Sequence, residues 1–245
     1  MKTKLGQNFL IDENVARREV DYANITRNDV VLEIGSGKGI LTHLLAEKAK
    51  KVVAIEIDKK LFDDLQDKIP DNVELVHEDA TDIDFNDLIK FNKIVSNLPF
   101  EISSPITFKI LDHDFDMAVL IYQKEFADRL IAKPRTKDYS RLTVNTYYKA
   151  KCDLLEVVPK TCFNPQPKVD SSIVRIEKRN KPPFSVIDEK YFFELTKKLF
   201  NNRRKKIKNI VGSNSNISCL DNRVEELTPE QIGKLSNILY SKNHS

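Results

Sequence analysis

The feature that most constrains what this chain can fold into is the pentapeptide Gly35-Ser36-Gly37-Lys38-Gly39. It is set between an apolar run, Val30-Val31-Leu32-Glu33-Ile34, and a periodic segment, Ile40-Leu41-Thr42-His43-Leu44-Leu45. The pattern predicts a strand, a tight turn and a helix. Three of the chain's six glycines fall in those five residues, where the backbone must bend sharply and a ligand must lie against it with no Cβ in the way. A nucleotide-like ligand is expected there.

Spacing narrows the choice of ligand. A dinucleotide fingerprint needs a glycine at the sixth position, which Ile40 occupies, and a Walker A loop fails because Leu32 and Gly39 stand where glycine and Ser/Thr belong. Instead, Glu33 precedes the turn and Glu56 lies 21 residues beyond Gly35. That arrangement suits an adenosine whose ribose hydroxyls are clamped by a carboxylate, and the site reads as one for S-adenosylmethionine.

Strands are expected over residues 52–57, 73–76, 93–96 and 117–122, with helices over 59–68, 105–111 and 124–131. Such alternation argues for a parallel sheet with helices on both faces, whose ligands sit beyond the carboxyl ends of the strands. Gly35, Glu56, Asp79 and Asn97 fall at the ends of four successive strands, so one crevice is expected to collect them. Asp79 alone would read as a helix N-cap; as one of four, it is assigned to the adenine amino group.

Asn97-Leu98-Pro99-Phe100 is the second signature. Proline stiffens the turn, asparagine accepts from an amino group and Phe100 offers a flat apolar face, a combination able to grip a planar base with an exocyclic NH2. Near the start of the chain, Gln7-Asn8-Phe9-Leu10 leads into a short helix capped by Asp12 that can fold over the ligand end.

The linker Lys178-Arg179-Asn180-Lys181-Pro182-Pro183 divides the 245 residues into an expected catalytic domain, 1–180, and a small helical domain, 181–245. The tail is basic, with a balance of +5 against −2 for the rest, as a polyanionic substrate would require. Arg203-Arg204-Lys205-Lys206 and the loop from Lys133 to Arg141 are its candidate contacts. Gly212–Asn216 is expected to be a flexible connection. No apolar run approaches the ~18 residues of a membrane span and the N-terminus lacks a signal-peptide core, so a cytoplasmic location without membrane contact is expected. Cys152, Cys162 and Cys219 are as scattered as the four histidines, which suggests neither disulfides nor a metal site.

Gln7-Asn8-Phe9-Leu10, Glu33-Ile34-Gly35-Ser36-Gly37, Ile55-Glu56-Ile57-Asp58, Asn97-Leu98-Pro99-Phe100, Gln123-Lys124-Glu125-Phe126-Ala127 and Phe163-Asn164-Pro165-Gln166-Pro167-Lys168-Val169 together resemble the kasugamycin-resistance type ribosomal RNA adenine dimethyltransferases. The likeness runs in order from about residue 4 to 179. It implies an α/β fold, a Rossmann-like class I S-adenosylmethionine-dependent methyltransferase domain with a small C-terminal helical domain. It further implies N6-dimethylation of two adjacent adenosines near the 3′ end of small-subunit ribosomal RNA, with the pre-30S particle as partner and a monomeric enzyme.

Carried over by motif, Asn8, Leu10, Gly35, Glu56, Asp79 and Asn97 would bind S-adenosylmethionine. Asn97, Leu98, Pro99 and Phe100 would hold the target adenine, with Phe163 on its other face. Phe100 stands where the family usually has tyrosine, which keeps stacking and loses a hydroxyl. Glu78 and Ser140 each replace a usual glycine, and the tail is short. The alternatives are a large-subunit dimethyltransferase of the macrolide-resistance type, against which Ala132-Lys133-Pro134 and Asp138 to Leu142 weigh, and a non-catalytic assembly factor of the same fold.

Overall fold

The structure, a computed structural model, describes residues 7–212 and 217–244. Met1–Gly6 and, beyond Gly212, the expected connection to Asn216 lie outside the described residues. In chain order the elements are β1 (Phe9–Leu10), α1 (Glu13–Tyr22), β2 (Val30–Ile34), α2 (Ile40–Lys48), β3 (Lys51–Glu56), α3 (Lys59–Gln66), β4 (Val73–His77), β5 (Lys93–Asn97), α4 (Ser103–Asp112), β6 (Met117–Gln123) and α5 (Lys124–Leu130). There follow α6 (Arg141–Lys149), β7 (Ala150–Val158), β8 (Phe163–Asn164), β9 (Ser171–Lys178), α7 (Glu189–Phe200), α8 (Lys208–Val211) and α9 (Pro229–Asn243).

Seven strands form one sheet in the order β4-β3-β2-β5-β6-β9-β7. The first five run parallel and β9 returns antiparallel to β6, from Met117↔Glu177 to Gln123↔Ser171. Strands buried on both faces need continuous apolar sequence. Val31, Leu32, Val52, Val53, Ala54, Ile94 and Val95 are accordingly all inaccessible to solvent.

Sheet pairing also opens the crevice. β2 and β5 are in register at Val31↔Lys93 and Leu32↔Ile94; two residues on, the link is a side chain, Ser96 Oγ donating to the Ile34 carbonyl at 2.6 Å. The gap lies where the strand order reverses, with β3 and β4 on one side and β6 on the other, which is where doubly wound sheets bind ligands. At the opposite end the strands are pinned. Lys93 Nζ donates to the carbonyls of Ala23 (2.9 Å) and Asn24 (2.6 Å) and lies 3.2 Å from Asp29. Burial alone would raise the Asp29 carboxyl, but hydrogen bonds from Asn92, Thr26 and Lys93 outweigh it and hold the group at about 2.

The chain divides into two compact units, Met1–Ala127 with Cys152–Lys178 and Asp128–Lys151 with Arg179–Ser245. This corrects the expected boundary at residue 180: residues 128–151 belong with the tail. The reason is packing. Tyr139, Val144 and Tyr148 are buried in one apolar cluster with Phe192, Leu195, Leu199, Ile232 and Leu235, and the Tyr139 hydroxyl donates to the Leu227 carbonyl at 2.7 Å. In the same unit, α9 starts with a capping box, Thr228 with Gln231, which satisfies two otherwise unpaired amides.

Candidate functional site

Beyond the carboxyl ends of β2 to β5, within the first unit, lies a cavity of about 250 Å³. Gly35, Glu56, Asp79 and Asn97 all line it, together with Asn8, Leu10 and Pro99. The structure therefore brings the four expected strand ends to one place, and the N-terminal segment closes over them. Leu98 is buried beside the cavity wall.

The loop geometry explains the glycines. Gly35 has φ +81°, and a Cβ there would stand 3.3 Å from the Pro99 ring. The glycine loop and the Asn97–Phe100 turn thus pack directly against each other. Gly37 has φ +56° and faces Phe9, whose ring a Cβ would meet at 3.2 Å. Its amide donates to Glu56 Oε2 at 2.8 Å, while Glu56 Oε1 accepts from the Asp58 amide at 2.9 Å. A buried carboxylate thereby fixes both the loop and the exit of β3.

Asp79 caps a turn and not a helix. Oδ1 accepts from the Thr81 amide and hydroxyl, each at 2.7 Å, and this local turn orients the carboxylate that lines the cavity. Asn97 ends β5 opposite Ile121 of β6. Among the described residues no partner holds its side chain, which leaves its amide oxygen available to a ligand.

Phe163 sits differently from expectation. It is 2% exposed, begins β8 and pairs with Leu10 of β1. Its ring meets Phe100 edge on, 6.3 Å between centroids at 62°. Neither ring is among the residues that line the cavity. Sequence reading missed Glu101, Ile102 and Ile57, which do line the cavity. Ile57 is 46% exposed, and an apolar residue just past a strand-end carboxylate was the signal for it.

Four acidic residues besides the buried Glu33 line the cavity, Glu56, Glu78, Asp79 and Glu101, against the single ammonium of Lys38. Such a pocket fits a cationic ligand, and a donor bearing sulfonium and ammonium groups meets that condition. Glu33 is buried, and its Oε2 has no hydrogen-bond partner among the described residues. Burial pushes its carboxyl up to about 8; the Thr42 hydroxyl opposes this and the Glu56 carboxylate adds to it. Glu19, buried on α1, is raised by burial and by Glu33.

A measurable pH dependence follows. Folding keeps Glu33 protonated, so stability is unaffected below about 4.5, falls as pH rises from there toward about 8, and levels off above. The slope should be on the order of 1 kcal/mol per pH unit. Denaturant unfolding between pH 5 and 8 should show it, with a shallower slope in Glu33→Gln, where Glu19 still contributes; identical slopes for both proteins would refute it.

Sheet order, glycine loop and acidic cavity together define a Rossmann-like methyltransferase of class I. The chain is matched over residues 1–241 by the model of the ribosomal RNA adenine dimethylase family, and it belongs to that family. It is 45% identical to a Methanococcus maripaludis protein named "Probable ribosomal RNA small subunit methyltransferase A", over 98% of each chain. It is 43% identical to the Methanosarcina acetivorans protein of that name, over 96% of this chain and 92% of the other. Among solved structures it resembles a dimethyladenosine transferase from Plasmodium falciparum, with TM-score 0.81 and 27% identity over 96% and 98% of the two chains. It also resembles the 23S rRNA methyltransferase ErmE, with TM-score 0.67 and 27% identity over 95% and 100%.

Proposed function

We propose that this protein dimethylates N6 of two adjacent adenosines near the 3′ end of small-subunit ribosomal RNA, using S-adenosylmethionine, as a monomer acting on the pre-30S particle in the cytoplasm during ribosome biogenesis. The observation that carries the reading is the convergence of Gly35, Glu56, Asp79 and Asn97 on one acidic cavity in a chain of this family. The small-subunit choice is supported by relatives of that name at 43–45% identity over nearly the whole chain.

The donor supplies an electrophilic methyl group on a sulfonium. Glu56 holds the ribose hydroxyls, Asp79 accepts from the donor's adenine amino group, and Asn8, Leu10 and the Gly35–Gly37 backbone enclose the remainder. Extruding the target adenosine costs a few kcal/mol, offset by stacking on Phe100 worth ~1–3 kcal/mol. The Asn97 side chain and the Leu98 carbonyl accept from the target amino group, drawing its lone pair out of the ring and aiming it along the transfer line. Orientation then supplies most of the rate, with no strong base required. A product that is still an amine can turn for a second transfer.

Incubation with labelled donor and 30S or 50S particles from cells lacking the protein tests the reading. Two dimethylated adenosines near the 3′ end of the small-subunit RNA are expected; label confined to 50S particles would reject it.

RNA binding is divided among the tail cations by their partners. Arg203 donates to the carbonyls of Lys137 (2.5 Å) and Thr136 (2.6 Å) and lies 2.9 Å from Glu225. Lys206 lies 3.4 Å from Asp221. Arg204 and Lys205 are exposed. Arg203→Ala should therefore lower stability, by about 1–3 kcal/mol, with little change in the salt dependence of RNA binding. Lys205→Ala should leave stability intact and reduce the salt slope by about 1. Thermal melts and salt-titrated binding to a small-subunit RNA fragment separate the two; the reverse pattern would show Arg203 to be the phosphate contact.

A further inference from the structure

β4 and β5 carry Asp79 and Asn97 past their ends, yet two strands, β3 and β2, lie between them. The sheet ladder therefore relates these two side chains only indirectly. The Lys109 side chain ties the Asp79 loop to the helix that follows the Asn97 turn. Lys109, on α4, donates from Nζ to the carbonyls of Ala80 (3.0 Å), Thr81 (3.2 Å) and Ile83.

All three protons of the ammonium are thus spent on the segment that follows Asp79, and the group also lies 4.6 Å from the Phe85 ring centroid. The segment is itself a closed turn: the Asp79 carbonyl accepts from the amides of Asp82 and Ile83 at 3.0 Å each, and its carboxylate is hooked to Thr81. At its other end α4 follows directly from the Asn97–Phe100 turn, through Glu101 and Ile102, which line the cavity.

We propose that Lys109 is a positioning residue that holds the Asp79 carboxylate in register with the Asn97 turn, and so sets the selectivity of the donor pocket for a base bearing an exocyclic amino group. The inference rests on the proposed role of Asp79. Three convergent carbonyls leave no proton for a ligand, so Lys109 acts through the loop. A hydrophobic side chain of equal length would leave three carbonyls without their donor and let the Asp79 turn drift.

The test is calorimetric binding of S-adenosylmethionine and of its analogue with hydrogen in place of the adenine amino group, to the wild type, Asp79→Ala, Lys109→Met and Lys109→Arg, with melting temperatures measured in parallel. Lys109→Met is expected to weaken donor binding by about tenfold, the worth of one good hydrogen bond, and to lose preference for the amino-bearing donor as Asp79→Ala does. Lys109→Arg should regain most of that preference. If Asp79→Ala loses the preference while Lys109→Met keeps it, even with a lowered melting temperature, Lys109 is only a structural support and the proposal fails. If Asp79→Ala itself keeps the preference, the assignment of Asp79 fails first and takes the proposal with it.

Discussion

Asn97→Ala should lower the single-turnover rate of methyl transfer by about 10²–10³, the usual consequence of removing a preorganised polar contact at the reacting centre. The fold should barely notice. Asn97 is half-buried, and its side chain has no partner among the described residues, so the loss in stability should stay within about 0.5 kcal/mol. Its position is overdetermined by the backbone: Asn97 pairs with Ile121, Ser96 is tied to Ile34, and Pro99 abuts Gly35. A rate defect with unchanged melting temperature and donor affinity altered by less than about tenfold would match a role in aligning the target amino group. A rate within threefold of wild type would remove Asn97 from the chemistry.

Glu56→Ala should act on binding, raising the donor's Kd by about 10²-fold or more, since hydrogen bonds to a charged group contribute about 1.5–3 kcal/mol each. Here the two effects of one side chain can be separated. In the protein alone, Glu56 already accepts from the Gly37 and Asp58 amides, so its loss frees the glycine loop and lowers stability as well. Glu56→Gln keeps an acceptor for one amide and removes the charge, so it should recover much of the stability and little of the affinity. Titration calorimetry and denaturant unfolding on both variants decide it. Donor affinity within threefold of wild type in Glu56→Ala would sink the ribose clamp.

These two residues were visible in the sequence because strand-end positions announce themselves. Each ends an apolar run, and the carboxyl end of a parallel strand is where such a sheet binds its ligand. Lys109 and Ser96 carried no such signal. Each acts through backbone carbonyls of residues distant in the chain, and nothing in the sequence says which carbonyls a fold will turn toward an amine or a hydroxyl. The same holds for Arg203, which reads as one of a run of four phosphate-seeking cations and is instead occupied by two carbonyls and Glu225.

Local order determined the strand–turn–helix around Gly35, the Asp12 and Thr228 caps and the parallel core, because each rests on interactions within a few residues or on a period that repeats along the chain. Tertiary packing alone decided that residues 128–151 join the C-terminal unit and that Phe163 meets Phe100 edge on. Both depend on which apolar surfaces find one another across tens of residues, and a hydrophobic pattern states only that a face must be covered, leaving open what covers it.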